Sequence, residues 1–310
     1  MLYVEQLTIQ IKEKCLVQNL SFQIASGQTV GLVGESGSGK SLTALSMMRL
    51  TPPEAILSGK IGWNTQDILA LNEKSLQALR GREIGMIFQN PLAALNPVFT
   101  IGEHLIETLQ HHHPLSDADA RKRAIELLTQ VRISNPAQRL KEYPHQLSLG
   151  MCQRVVIALT LGMQPKLLIA DEPTASLDVT VQAQILGLLH ELKAEQNMSM
   201  LLISHDMAVI AQNCDWVMVM YRGQLVEQGT PKALFESPQH PYTQALISAI
   251  PTFGKPRPQF EGEPDETEQM LGAGCRFYHR CKSRQSRCLE AFPSWRESPD
   301  HRVACWALQG

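Results

Sequence analysis

The sequence has no apolar run long enough to cross a bilayer, no excess of basic charge and no paired Cys-x2-Cys hooks. A spanning helix needs about eighteen or more apolar residues. The longest stretches, such as 155–161 and 167–170, stop far short and read as core helix or strand. Lys and Arg total 28 against 30 Asp and Glu, a formal net charge of −2, so no basic field points to nucleic acid. The opening MLYVEQLTIQ lacks the basic flank and apolar core of a secretory signal. The expectation is a chain made and kept in the cytoplasm, held at any membrane by another protein. Internal repeats are also missing. What is present is 310 residues, 44% hydrophobic, enough for one large or two smaller domains whose core needs no disulfides.

The seven cysteines are expected as thiols. Cys15, Cys152 and Cys214 are scattered, whereas Cys275, Cys281, Cys288 and Cys305 crowd the C-terminal tail. Their spacing is not that of a zinc ribbon.

Alternation at Leu2, Val4, Leu7, Ile9 and Ile11 predicts a strand, and 16–24 a second, antiparallel one. The apolar run 29–33 reads as a buried parallel strand feeding a Gly-rich loop and a helix over 41–50. From about 101 to 163 the spacing turns helical, over 101–109, 118–131 and 151–163. Strands at 166–170, 200–204, 216–220 and 224–227 then alternate with helices, the mark of a parallel α/β sheet. Residues 251–274, with Pro251, Pro256, Pro258 and Pro264, read as a linker.

Gly34-Glu35-Ser36-Gly37-Ser38-Gly39-Lys40-Ser41 fits G-x-x-x-x-G-K-[ST] between a strand and a helix. Glycines let backbone N–H groups turn toward phosphates, and the helix N-terminus adds positive potential. Lys40 would reach the β and γ phosphates and Ser41 would ligate Mg²⁺. The strand 167–170 ends in Asp171 and Glu172. Asp171 would hold Mg²⁺ through water and Glu172 would polarise the attacking water.

Four further motifs complete a pattern. Gln89 follows the apolar run 84–88, Leu147-Ser148-Leu149-Gly150-Met151-Cys152-Gln153-Arg154 opens a helix, Ser176-Leu177-Asp178 follows the acidic pair, and His205 follows Ser204. In this order around the phosphate loop they resemble the ATP-binding subunits of ABC transporters, over residues 2–250. More narrowly, Gln89-Asn90-Pro91, Tyr143-Pro144-His145-Gln146, the run 171–186 and SPQHPYTQALISAIP at 237–251 are similar to the peptide/nickel (oligopeptide/dipeptide permease) importer family. A small-molecule kinase would lack these motifs together, and a GTPase would want an NKxD-like base reader, which is absent. A translation-type ABC ATPase usually carries two nucleotide domains in one chain, and a DNA-repair type separates its halves by heptads. Neither feature is found.

The resemblance implies an α/β fold: a P-loop NTPase core with an antiparallel β subdomain, a helical signature subdomain and a small Cys-rich extension. The boundaries expected are 1–235 for the nucleotide-binding domain, its helical part at about 90–163, and 236–310 for the extension. ATP and Mg²⁺ would be held by residues 34–41, Gln89, Asp171 and Asp178, with Ser148 and Gly150 serving a partner's ATP in a head-to-tail dimer. Glu172, Gln89 and His205 would be catalytic. The implied assembly pairs two ATPases, related or identical, with two membrane permeases and an extracytoplasmic binding protein at the cytoplasmic face of the plasma (inner) membrane. Its cargo would be di- or oligopeptides, with nickel or metallophores, or antimicrobial peptides, as alternatives. A non-transport soluble ABC ATPase is the other alternative. Some family members carry a 4Fe–4S cluster on tail cysteines, so Cys275, Cys281, Cys288 and Cys305 are expected to hold a cluster, or zinc, or nothing. Arg276, Arg280, Lys282, Arg284 and Arg287 would offset thiolate charge.

Two departures bear on the site. Leu149 stands where the family has glycine; it either weakens the signature, because Leu resists φ > 0, or is tolerated. Ile11 aligns with the usual adenine-stacking aromatic, so modest nucleotide affinity is expected. His111-His112-His113 reads as a solvated helix end, since consecutive helical side chains point apart.

Overall fold

The computed structural model describes residues 1–175, 177–250 and 273–309. Most of the linker, 251–272, and Ser176 lie outside the described residues. Two compact units emerge, one of 1–71 and 202–310, the other of 72–201.

Strands are numbered in chain order: β1 Leu2–Ile11, β2 Lys14–Ile24, β3 Thr29–Val33, β4 Ala55–Trp63, β5 Gln66–Asp67, β6 Ile84–Ile87, β7 Leu167–Asp171, β8 Ser199–Ser204, β9 Trp216–Tyr221, β10 Gln224–Gly229, β11 Arg296–Ser298 and β12 His301–Val303. In the first unit β2-β1-β4-β5 form an antiparallel sheet. The alternation in β1 buries Leu2, Val4, Leu7 and Ile9 on one face, as a half-buried sheet requires. A register shift between Val4 and Leu7 keeps that face apolar despite the uneven spacing.

The same unit holds β3 parallel to β9, with Val30 opposite Trp216, and β9–β10 as an antiparallel hairpin. Every residue of β3 is buried, so the apolar run is a core strand. The C-terminal extension belongs to this sheet. Its β12 pairs antiparallel with β10, Glu227 opposite Val303, and β11 adds outside it.

The second unit pairs β6 with β7 in parallel, Ile84 opposite Leu167. Its helices include Ile101–His112, Asp117–Gln130, Leu149–Gly162 and Val179–Gln196. The first opens with a capping box between Thr100 and Glu103. It ends at the three histidines, where the His113 N–H donates to Leu109 O at 2.8 Å. The helix Leu149–Gly162 buries Val155, Ile157, Ala158 and Leu161. Within β8 the chain passes from the second unit to the first. Among the described residues no helix is long and apolar enough to cross a membrane.

Candidate functional site

In the first unit β3 runs straight into the phosphate loop and the helix Lys40–Met47. Gly34 lies so close to the next layer that a Cβ there would sit 2.1 Å from the Met220 carbonyl oxygen. Gly39 precedes the helix at φ 100, a left-handed conformation that favours glycine. Lys40 is only 4% exposed. Its Nζ donates to the carbonyls of Gly34 and Glu35, both at 2.9 Å, and to Ser38 Oγ at 3.4 Å. The ammonium is thus fixed at the mouth of the loop, with Ser41 on the first helical turn.

A cavity of about 210 Å³ adjoins the loop, lined by residues 14–16 and 35–38 with Tyr221, Arg222 and Arg276. Its three cations, Lys14, Arg222 and Arg276, outnumber its one carboxylate, Glu35, which suits an anionic ligand. His205 lies between Ser204 at the end of β8 and Asp206, whose carboxylate caps the helix Met207–Asn213 through the Ala208 and Val209 N–H groups.

In the second unit β7 is buried throughout and delivers Asp171, 5% exposed, at its end. Glu172 then turns sharply, with φ 45. Left-handed backbone costs an L-residue about 1–2 kcal/mol, and such strain gathers at functional sites. The turn brings the carboxylate to Gln89, two residues past β6, whose Nε2 donates to Glu172 Oε2 at 3.0 Å. Two residues 83 positions apart in sequence are therefore one device.

The signature opens the helix Leu149–Gly162. Ser148 is its N-cap, accepting from the Met151 N–H at 3.3 Å. A Cβ on Gly150 would approach Val181 Cγ1 at 3.0 Å, which places the signature against the start of the helix Val179–Gln196. That helix is capped by the Asp178 carboxylate through the Thr180 and Val181 N–H groups. Leu149 is absent from the residues with positive φ and is helical. The conformational objection to Leu at this position therefore fails, because the first helical residue needs no left-handed backbone.

In the tail the charge of Arg284 opposes the burial that raises the Cys281 thiol, the offset expected of it, while three other arginines bond oxygen acceptors. Arg280 gives both terminal nitrogens to the Glu35 carboxylate, at 2.9 and 3.1 Å. Arg276 bonds the carbonyls of Arg222 and Cys15, and Arg287 those of Trp306 and Gln309. These arginines spend donors on a carboxylate and on carbonyls, which are better acceptors than sulfur. None of the seven cysteines, all of them described, is in a disulfide. Burial pushes the Cys275 thiol up to about 12 and raises those of Cys281 and Cys305.

Sequence reasoning missed Glu227 and the contacts of Tyr242 and Arg280. Glu227, fully buried, accepts from the Gln239 and His240 N–H groups at 2.7 and 2.9 Å and contacts His301 Nε2 at 2.6 Å. Tyr242 contacts the phosphate loop, and so does Arg280. Tyr242 stood in the string 237–251, whose wording was legible as a family mark but whose contacts were not.

Residues 17–175 match the ABC transporter family. The chain belongs to the ABC transporter ATPases. This ATPase also matches the oligopeptide/dipeptide transporter C-terminal region over residues 226–288. It is 44% identical to the dipeptide transport ATP-binding protein DppD of Escherichia coli over 289 residues, 92% of this chain and 88% of that one. The identity to DppD of Bacillus subtilis is 43% over 296 residues, covering 94% and 88%. Among solved structures, the dimeric post-hydrolysis ATP-binding cassette MJ0796 with ADP and Pi superposes with a TM-score of 0.67. That match has 26% identity and covers 74% of this ATPase and 99% of the cassette.

Proposed function

We propose that this ATPase energises the import of di- and oligopeptides through a membrane permease. The carrying observation is the oligopeptide/dipeptide transporter C-terminal region at 226–288, set behind a full ABC core. ATP binding closes a head-to-tail pair of ATPase subunits, hydrolysis reopens it, and the permease follows.

The chemistry is positioning and charge stabilisation of phosphoryl transfer to water. Residues 34–41 would take the phosphates, Lys40 would neutralise their charge, and Ser41, Asp171 and Gln89 are the residues that would hold Mg²⁺. Bound there, Mg²⁺ would supply screening of the phosphate charge. Glu172 would orient the water and accept its proton, and His205 is the further catalytic side chain proposed. Ser148 supports the dimer reading: its oxygen caps its own helix, while the hydroxyl hydrogen stays available as a donor. With the helix N-terminus at Gly150 it makes an anion site for the partner subunit's ATP. Asp178 lies at the same surface, exposed.

Phe88, Leu92, Val98 and Phe99, all within ten residues of Gln89 in sequence, are 38%, 50%, 70% and 41% exposed. Apolar groups so exposed suit a permease segment, which would hold the ATPase at the cytoplasmic face of the inner membrane. Affinity capture from detergent-solubilised native membranes tests this assembly. A related ATPase, two multi-span permeases and an extracytoplasmic binding protein are the expected companions. Recovery of soluble partners alone overturns the transporter reading.

The four tail cysteines are the proposed ligands of a 4Fe–4S cluster. Cys275 feels the charge of Cys281, Cys288 and Cys305, Cys281 that of Cys288, and Cys305 that of Cys281 and Cys288. Every pair is thus within electrostatic range. The Cys275 N–H also donates to Cys288 O at 2.7 Å. Yet among the described residues no three His, Cys, Asp or Glu form a group able to hold a metal ion. The reading rests instead on four thiols within 31 residues of one another in a chain with no disulfide, a ligand set that suits a cluster. Bound there, a cluster would cross-link the extension and exchange electrons. Full-length protein purified without oxygen is expected to carry iron and acid-labile sulfide in equal amounts. Zinc in their place, or no metal, overturns the assignment.

A further inference from the structure

The first residue inside the phosphate loop is held from the far end of the chain. Glu35 accepts both terminal nitrogens of Arg280, at 2.9 and 3.1 Å. Its backbone N–H donates to the Tyr242 hydroxyl at 2.8 Å. Its carbonyl accepts from Lys40 at 2.9 Å. Side chain, N–H and C=O of one loop residue are therefore all engaged, two of them by the C-terminal extension.

The clamp itself is rigidly built. Arg280 has a side chain only 8% exposed, with its guanidinium 5.8 Å from the ring centroids of Tyr221 and Phe277. Tyr221, Tyr242 and Phe277 form a cluster with centroids 4.6, 5.1 and 5.4 Å apart. Tyr242 is fully buried. Its helix, Pro241–Ser248, is opened by His240, whose Nδ1 accepts from the Tyr242 N–H at 3.1 Å. Burial pushes His240 down to about 3, so it stays neutral and keeps that acceptor across the working pH range. Bidentate pairing fixes the plane of the carboxylate as well as its distance.

We infer that Arg280 and Tyr242 are positioning residues for nucleotide binding, which set the leading half of the phosphate loop and cancel the charge of Glu35 beside the phosphates. This rests on residues 34–41 being the nucleotide's phosphate site. Without Arg280, a carboxylate stands unneutralised next to a polyphosphate, and the loop loses a two-point anchor. Removing one partner of a half-buried pair harms more than removing both. The roles of the two residues then separate by charge logic.

The test uses the full-length ATPase with Mg·ATP, measured by a fluorescent nucleotide analogue and by steady-state hydrolysis in the assembled transporter. Arg280→Gln is expected to raise both Kd and KM about tenfold with kcat within about threefold. Arg280→Lys should recover part of the loss, since an ammonium supplies the charge without the fork. Glu35→Gln should cost less than about threefold. The double variant should resemble Glu35→Gln rather than the product of the two losses. Tyr242→Phe, which removes only the acceptor of the Glu35 N–H, gives a milder rise in KM and serves if Arg280 variants fold poorly. Unchanged Kd and KM in Arg280→Gln and Tyr242→Phe overturn the inference, and so do independent, multiplying losses in the double variant. Lys40→Ala is the control. If it too leaves nucleotide binding intact, the reading of the phosphate site is what fails.

Discussion

Glu172→Gln is expected to lower ATP turnover by about two to four orders of magnitude, the range for removing a positioned general base, while nucleotide binding persists. The exchange is nearly isosteric and leaves the backbone at φ 45 with no new strain. Gln89 can still pair with the new amide by turning its own, because an amide both donates and accepts. What is lost is the negative charge that orients and deprotonates water. The geometry argues for a poised group, because Glu172 is held in a costly conformation and fixed by Gln89 at 3.0 Å. The check is hydrolysis by the assembled transporter, with light scattering of the isolated variant in Mg·ATP. Lost turnover with ATP-dependent dimer formation is the expected pair of results. Full hydrolysis removes the base assignment. Glu172→Ala should lose turnover to a similar degree, so the contrast with Gln reports on shape rather than charge.

Lys40→Ala should instead act on binding, raising the Kd for Mg·ATP about a hundredfold. A hydrogen bond to a charged group contributes about 1.5–3 kcal/mol, and Lys40 also ties the loop together through Gly34 O and Glu35 O. At a ligand concentration 100 times the Kd, binding stabilises a protein by about 2.7 kcal/mol. In thermal unfolding the parent should gain that increment with Mg·ATP, and Lys40→Ala should gain only a small fraction of it at the same concentration. Lys40→Met keeps the buried stem and separates lost charge from lost packing. An unchanged nucleotide-dependent shift in both variants would show that the loop does not take the phosphates through this lysine. The two substitutions thus divide the site, Lys40 between free and bound and Glu172 between bound and reacted.

Much of this site is legible in sequence because its parts are local. A strand, a Gly-rich turn and a helix that follow one another must adopt nearly one geometry, since few backbones bend so sharply and still offer N–H groups. The acidic pair after β7, the N-cap serine of the signature and the capping Asp178 are likewise short-range devices. Their spacing marks them as motifs, although what Leu149 would do does not follow from it. Glycine's conformational freedom is not needed at Leu149, because the helix starts there. Ser148, rather than position 149, ends the extended segment.

The cysteine tail shows the limit. Composition marked residues 275–305 as a cluster, yet gave no hint that β12 would complete the edge of β10 or that Arg280 would reach back 245 residues to Glu35. Edge pairing depends on which backbone groups are left open, and an arginine's partner depends on which acceptor lies within a few ångströms. Neither is encoded by neighbours along the chain.

By itself, then, the sequence determined the family, through a phosphate-loop motif, an acidic strand end and a signature at diagnostic spacings. Only the tertiary structure decided that Gln89 steadies Glu172, that Glu172 is wound into a left-handed turn, and that the extension grips the loop. Those are contacts between residues distant in sequence, set by packing, which periodicity and local propensity do not specify.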